Sequence, residues 1–237
     1  MTPSGPRIPR DILDWEPVAA PPDLGADDLH LWRIDCGPQG APSERQWEVL
    51  SERERARAGR LRLDLHRERY VRTHAGLREI LSRYLNLASQ SIDYKYGQSG
   101  KPALANPGHR LELNLTTSQD LALVALSLGE PVGIDCEQIR ARRDPEALVR
   151  RMLGDEEAER LAQTPRERRL AAFHMAWTTL EAEVKADGRG LARRREPPAM
   201  GRLEVAHFVP QSGFIAAVAR ASLPPRSRWR ALRLEGT

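Results

Sequence analysis

Residues 111–137 read LELNLTTSQDLALVALSLGEPVGIDCE, and the fold class follows from this stretch. Residues 111–115 alternate apolar and polar side chains, the period of a half-buried strand, and residues 120–128 fit either a strand or a buried helix. Residues 129–131 have the composition of a turn, and residues 132–137 are a further strand candidate. We therefore expect β-sheet at the centre of the chain.

Helices and strands are predicted on both sides of this centre. Helical periods occupy three segments: 43–86, 140–164 and 170–187. Alternating, strand-like runs occupy four more: 29–36, 203–209, 213–221 and 228–234. Ser51 and Glu54 have the spacing of a capping box, and Gly188 and Gly190 end the last helix. Residues 1–28, rich in Pro, Asp and Gly, are expected to form an irregular arm.

The composition excludes several classes of protein. Apolar runs in the 237 residues fall short of the ~18 residues that a membrane span needs, and 40% hydrophobic residues exceed what a disordered chain carries. The two cysteines, Cys36 and Cys136, build neither a disulfide framework nor a four-ligand zinc site. A net charge of +4 suits an acidic partner or a phosphate-bearing ligand, whereas 5% aromatic residues argue against nucleic-acid binding. The N-terminus lacks the residue order of a secretory signal, so we expect the chain in the cytoplasm.

Two carboxylates stand two residues apart in the strand candidate at 132–137. Side chains at positions i and i+2 leave a strand on the same face, so Asp135 and Glu137 converge there. Like charges held this close favour a hard divalent cation, and ligation by oxygen alone suits Mg²⁺. The other interpretation is a strand end that turns its polar side to solvent, and the spacing leaves both open.

A second charged pair lies on the predicted helix at 170–187. Glu181 and Lys185 are four residues apart and border an apolar stripe that includes Phe173 and Val184. Such a pair on an exposed helix face stabilises the helix by roughly 0.3–0.5 kcal/mol. Beside a core stripe, the same pair can instead face a cleft between lobes. The spacing alone does not decide between these interpretations.

Four pieces of sequence follow one another in a recognisable order: Gly100-Lys101-Pro102, Asn114-Leu115-Thr116-Thr117-Ser118, Gly133-Ile134-Asp135-Cys136-Glu137, and the run from Trp177 through Glu181 and Lys185 to Gly190. In this order they resemble the 4′-phosphopantetheinyl transferases, specifically the two-lobed type that activates peptide and polyketide synthases. The resemblance covers about residues 45–192, most of the chain. The combination is more specific than any single piece.

The resemblance implies an architecture. The fold should be α+β, with two similar lobes related by a pseudo-twofold axis, each a small antiparallel sheet packed with helices. The active site should lie in the cleft between the lobes. Residues 29–130 would form an N-terminal lobe that contacts the coenzyme A nucleotide, and residues 131–237 a C-terminal lobe with the metal and catalytic residues. The protein is expected to be a monomer.

The resemblance also implies a reaction and its residues. Such enzymes transfer phosphopantetheine from coenzyme A to a serine of an acyl or peptidyl carrier protein, releasing 3′,5′-ADP. The resemblance assigns Mg²⁺ binding to Asp135, Glu137 and Glu181. It assigns catalysis to Glu181, as the base, and to Lys185, which would pair with the phosphates. The residues assigned to coenzyme A are Arg57, Arg69, Lys101, Pro102, Thr116, Thr117 and Lys185. Neither nucleic acid nor a membrane is an expected partner.

Two positions depart from the family pattern. The family pattern reads N-x-S-H-S, and in this sequence Thr117 stands in place of its histidine. The resemblance implies that this histidine donates to a coenzyme A phosphate, and the neutral hydroxyl of Thr117 is a weaker donor. Leu180 stands where the family has a lysine. Both departures spare the assigned metal ligands and base, so a slower transferase is expected. The alternative is a catalytically impaired relative that binds coenzyme A or a carrier protein as a regulatory subunit.

Overall fold

The computed structural model describes residues 9, 12–97, 102–105, 108–141, 144–194, 196 and 200–235. Helices and strands are interspersed along these residues, which confirms the α+β class. The strands are β1 (Glu16–Val18), β2 (Leu29–Asp35), β3 (Tyr94–Tyr96), β4 (Pro102–Leu104), β5 (Leu111–Ser118), β6 (Leu121–Leu128), β7 (Val132–Gln138), β8 (Glu204–Phe208), β9 (Phe214–Arg220) and β10 (Trp229–Leu234). The helices are α1 (Glu44–Glu48), α2 (Glu52–Gly59), α3 (Asp64–Leu85), α4 (Pro145–Leu153), α5 (Asp155–Gln163) and α6 (Arg166–Asp187).

The larger sheet has five strands in the order β1-β10-β2-β6-β5. Strand β6 pairs antiparallel with β2 and β5, whereas β10 pairs parallel with β1 and β2. The larger sheet is therefore mixed, and the prediction of a purely antiparallel sheet was wrong here. The run at 120–128, left open between strand and helix, contains the interior strand β6, whose two faces are buried against two core clusters.

Two further expectations about this sheet need correction. The arm at 1–28 is not wholly irregular, since β1 pairs with β10 along its three residues. The sheets also do not follow a single division of the chain near residue 130. Strand β10, assigned by sequence to the C-terminal lobe, returns to the larger sheet and pairs with β2 from Leu29 to Arg33.

A second sheet, called the smaller sheet below, has three strands in the order β7-β9-β8 with antiparallel pairings, as expected. Strands β3 and β4 form a separate antiparallel pair. The inner face of the smaller sheet shares a core with the larger sheet, to which Ile134, Cys136, Leu121 and Leu123 contribute. Helix α6 packs on the opposite face. There a Cβ added to Gly133 would lie 2.0 Å from a carbonyl oxygen of α6, so only glycine allows this close approach.

The other face of the larger sheet is covered by α3, whose side chains Leu77, Leu81 and Leu85 are buried against it, as the helical period predicted. Helix α2 begins with the predicted capping box, in which Ser51 and Glu54 bond reciprocally. The Glu54 carboxylate also accepts a 2.6 Å hydrogen bond from Arg78 Nε in α3. This buried ion pair ties α2 to α3.

The helices of the described residues differ in length and in charge. The two longest, α3 and α6, have 22 residues each and carry charged side chains along their length. Across the described residues, none of the helices has both the length and the apolar character that a membrane span needs.

Candidate active site

Strand β7 divides its side chains between two surroundings, as the alternation of a strand requires. Ile134 and Cys136 enter the core between the sheets, whereas Gly133 and Asp135 face α6. Asp135 is only 5% exposed, so its carboxylate lies in the protein and not at a solvated strand end. The interpretation of Asp135 as a solvent-facing residue is therefore wrong.

Lys185 of α6 contacts the Asp135 carboxylate directly. Its Nζ donates to Asp135 Oδ1 at 2.6 Å and lies 4.0 Å from Glu181 Oε2. Thr116 of β5 donates to the same Oδ1 at 3.0 Å, and its hydroxyl accepts from Lys185 Nζ at 3.3 Å. The Glu181–Lys185 pair thus faces β7, and residues from β5, β7 and α6 meet at one carboxylate.

Burial and neighbouring charges shift the pKa values of these carboxyl groups. Burial raises the pKa of Asp135, although the Lys185 charge and the hydrogen bonds from Lys185 and Thr116 oppose it. Burial also raises the pKa of Glu181; the Lys185 charge lowers it, and the charges of Asp135 and Glu137 raise it further. Carboxylates that repel one another in a desolvated place attract a cation, and here the pKa of Asp135 and that of Glu181 are both raised.

The oxygen atoms of this cluster are donors of the kind that Mg²⁺ prefers. Asp135 Oδ2 is buried and, within the described residues, has no hydrogen-bond partner, so it is available as a ligand. Oxygen donors suit Mg²⁺, which keeps several waters and is held partly through substrate phosphates. As they stand, the described residues hold no group of three or more His, Cys, Asp or Glu side chains arranged as a metal site. The donor chemistry fits the ion, and the site is not a preformed protein cage.

The residues assigned to coenzyme A are placed differently from one another. Thr116 lies in the carboxylate cluster, whereas Thr117, the next residue of β5, is exposed. Pro102 is half-buried at the start of β4. Lys101 lies outside the described residues.

The two arginines assigned to coenzyme A make their described contacts outside this cluster. Arg69 Nη2 pairs with Asp120 at 2.6 Å in the turn between β5 and β6, and Arg57 is exposed in the last turn of α2. Within the described part of the chain, neither is joined by a hydrogen bond or an ion pair to Asp135 or Lys185. Their assignment stays a prediction.

Other residues gain roles that spacing did not reveal. Gly133 allows the close approach of α6, and a glycine inside a strand is the general signal for such an approach. Asn114 and Ser118 are buried on β5, where polar side chains at every second position interrupt an apolar strand. Leu180 is 6% exposed, so the departure at this position is a packed core residue.

Several known proteins are similar in sequence to this chain. Residues 131–232, which contain β7 and α6, match the family model of the 4′-phosphopantetheinyl transferase superfamily. The chain is 34% identical to the 4′-phosphopantetheinyl transferase HetI of Nostoc sp., over 87% of this chain and 93% of that protein. It is also 40% identical to the 4′-phosphopantetheinyl transferase AcpT of Salmonella typhi, over 47% of this chain and 56% of that protein. Because the likeness to HetI extends over nearly the whole length of both proteins, this chain belongs to the 4′-phosphopantetheinyl transferase superfamily.

Proposed function

We propose that the protein transfers the 4′-phosphopantetheine arm from coenzyme A to a serine of an acyl or peptidyl carrier protein. One observation carries the proposal: the conjunction of Asp135, Lys185 and Thr116 at one buried carboxylate, with Glu181 4.0 Å from the Lys185 amine. These are the residues that the family resemblance assigns to the chemistry. Membership of the superfamily supports the reaction type.

In the proposed reaction, the carrier serine oxygen attacks the β-phosphorus of coenzyme A, and the bond from that phosphorus to 3′,5′-ADP breaks. Glu181 accepts the serine proton, directly or through a water. The raised pKa of Glu181 favours this role, because a base works best when its pKa approaches the working pH. Phosphoryl transfer otherwise depends on positioning and on neutralising charge.

Lys185 supplies a cation on the side of the cluster that faces Glu181. In the structure its charge is matched by Asp135, so the amine is held in a fixed place before the diphosphate binds. Asp135, Glu137 and Glu181 would hold Mg²⁺, which neutralises charge on the diphosphate when bound. Calorimetry with Mg²⁺ and coenzyme A should show metal-dependent heat that Asp135→Ala abolishes; equal heat in the variant would contradict this assignment.

The finer assignments belong to the same proposal. Residues 29–130 would hold the nucleotide end of coenzyme A through Arg57, Arg69, Lys101, Pro102, Thr116 and Thr117, and residues 131–237 would supply Mg²⁺ binding and catalysis. A net charge of +4 suits an acidic carrier protein. We also infer two related lobes, with β10 returning from the second to the sheet of the first, and a monomer in the cytoplasm.

The test is intact-mass spectrometry of a carrier protein mixed with this protein, coenzyme A and Mg²⁺. A gain of one phosphopantetheine arm is expected, and Glu181→Gln should slow it by roughly 100- to 10,000-fold, the usual contribution of a general base. Glu183→Gln is the matched control, since Glu183 lies two residues further along α6 and about 200° around it. Equal rates for the two variants would exclude Glu181 as the base.

A regulatory relative is the second candidate, and the two departures favour it. Thr117 replaces a donor that can carry charge, and Leu180 is buried where a lysine would otherwise stand. Such a protein would bind coenzyme A or a carrier protein without changing the carrier mass. Affinity without any mass gain, at high protein concentration and across several carriers, would replace the transferase by this alternative.

A further inference from the structure

Three buried polar side chains project from β5 at alternate positions. Asn114, Thr116 and Ser118 lie on the face of β5 that is directed toward the smaller sheet. Leu115, one of the intervening residues, packs on the opposite side against the core beneath α3. An edge strand with three polar residues on a buried face requires partners for all three.

Two of these partners are backbone groups of β7. Asn114 Oδ1 accepts a hydrogen bond from the Ile134 amide at 2.9 Å, and Ser118 Oγ accepts one from the Gln138 amide at 3.0 Å. Both bonds join residues 20 positions apart, so β7 runs parallel to β5 in a constant register. The middle side chain, Thr116, donates to Asp135 Oδ1.

These bonds join the edges of two different sheets. Strand β5 ends the larger sheet and β7 ends the smaller one, and side-chain oxygens take the place of a backbone ladder between them. A buried amide without an acceptor is unfavourable, so each bond selects this register over its neighbours. A shift of one residue would turn Asp135 away from α6.

We propose that Asn114 and Ser118 are positioning residues that lock β7 in register beside β5 and thereby hold Asp135 against Thr116 and Lys185. The catalytic consequence rests on the proposed function, whereas the structural lock does not. The two oxygens lie on either side of Thr116 along β5, so they fix β7 above and below the carboxylate. Catalytic groups lose activity steeply when displaced, by roughly 100-fold for about 1 Å.

Amide hydrogen exchange and kinetics of the full chain test this lock with four variants. In Asn114→Ala, exchange at Ile134 should become roughly 10- to 100-fold faster, and in Ser118→Ala the same should occur at Gln138. Ser118→Thr keeps the hydroxyl and should retain protection. Ser82→Ala removes a hydroxyl that donates to Glu79 O within α3, and should leave both amides protected.

Kinetics then separate positioning from general destabilisation. In the alanine variants kcat for phosphopantetheine transfer should fall roughly 10- to 100-fold, with the KM for coenzyme A nearly unchanged, and Ser118→Thr should restore kcat. Rapid exchange of Ile134 and Gln138 in the unaltered protein would overturn the proposal without any variant. Unchanged kcat despite lost protection would overturn its catalytic part. Faster exchange in a protein that transfers no arm would leave the lock standing and refute the proposed function.

Discussion

Gly133→Ala is the substitution whose effect is best determined by the structure. The added Cβ would lie 2.0 Å from the Ala182 carbonyl oxygen and 2.3 Å from the Ala186 amide nitrogen, both backbone atoms of α6. Because ordinary contact begins at 3.4 Å, α6 must recede by about 1.4 Å, the difference between the first and last of these distances. Overpacking of this kind costs about 1–3 kcal/mol of unfolding free energy.

The same displacement acts on the candidate active site. If α6 recedes by about 1.4 Å, the 2.6 Å contact between Lys185 Nζ and Asp135 Oδ1 lengthens to roughly 4 Å, beyond a hydrogen bond. We expect kcat for phosphopantetheine transfer to fall by about 100-fold. The melting temperature should fall by about 2–4 °C for each kcal/mol lost.

The assay is intact-mass spectrometry of a carrier protein over time, with thermal unfolding of the same samples. Gly59→Ala is the matched control, because its Cβ would meet nothing within 4 Å at the end of α2. The control should keep kcat and gain up to about 1 kcal/mol of stability. A Gly133→Ala protein with the melting temperature and kcat of the parent would show that the close contact of β7 with α6 does not hold Lys185 against Asp135.

Three further predictions concern pH and cofactor binding. Burial raises the pKa of Glu54, but hydrogen bonds from His74 and Ser51 and the charge of Arg78 lower it to about 2. The ionised Glu54 therefore contributes its full stabilisation above pH 4.5, and this stabilisation is lost as the pH falls toward 2. Glu54→Gln should flatten the curve of unfolding free energy against pH in that window, and an unchanged slope would contradict the ion pair. Burial lowers the pKa of His30 to about 4, so the folded protein should lose unfolding free energy as the pH falls from 6.5 to 4. In urea titrations, His30→Gln should remove this loss of unfolding free energy. Thr117→His should raise the affinity for coenzyme A by roughly 10-fold in calorimetry, because a charge-assisted donor is stronger than a hydroxyl, and unchanged affinity would show that residue 117 does not reach a phosphate.

Local patterns predicted much of the fold and part of the site. The alternation in β5 and β7 and the periods of α3 and α6 depend on near neighbours in the chain, so the sequence carries them directly. The spacing of Asp135 and Glu137 likewise predicted that both residues lie on one strand. The facing of Asp135 toward Lys185 needed the tertiary structure, since the two residues are 50 positions apart.

Long-range pairing accounts for what could not be predicted. Strand β10 pairs with β2 across about 200 residues of chain, and nothing in its own alternation says which sheet it joins. The role of Asn114 could not be predicted for the same reason, because its side-chain oxygen accepts a hydrogen bond from the Ile134 amide in the other sheet. A glycine inside a strand, such as Gly133, indicates a close approach, but the helix that approaches it could be identified only in the structure.

Phosphopantetheine transfer by this protein can be established by quantifying both products of one reaction. Carrier protein, coenzyme A and Mg²⁺ are incubated with this protein, and the modified carrier and the released 3′,5′-ADP are quantified together. The proposed transfer predicts one 3′,5′-ADP for each carrier that gains one phosphopantetheine arm, with both products reduced in parallel by Glu181→Gln. Release of 3′,5′-ADP without carrier modification, or the absence of both products, would contradict it.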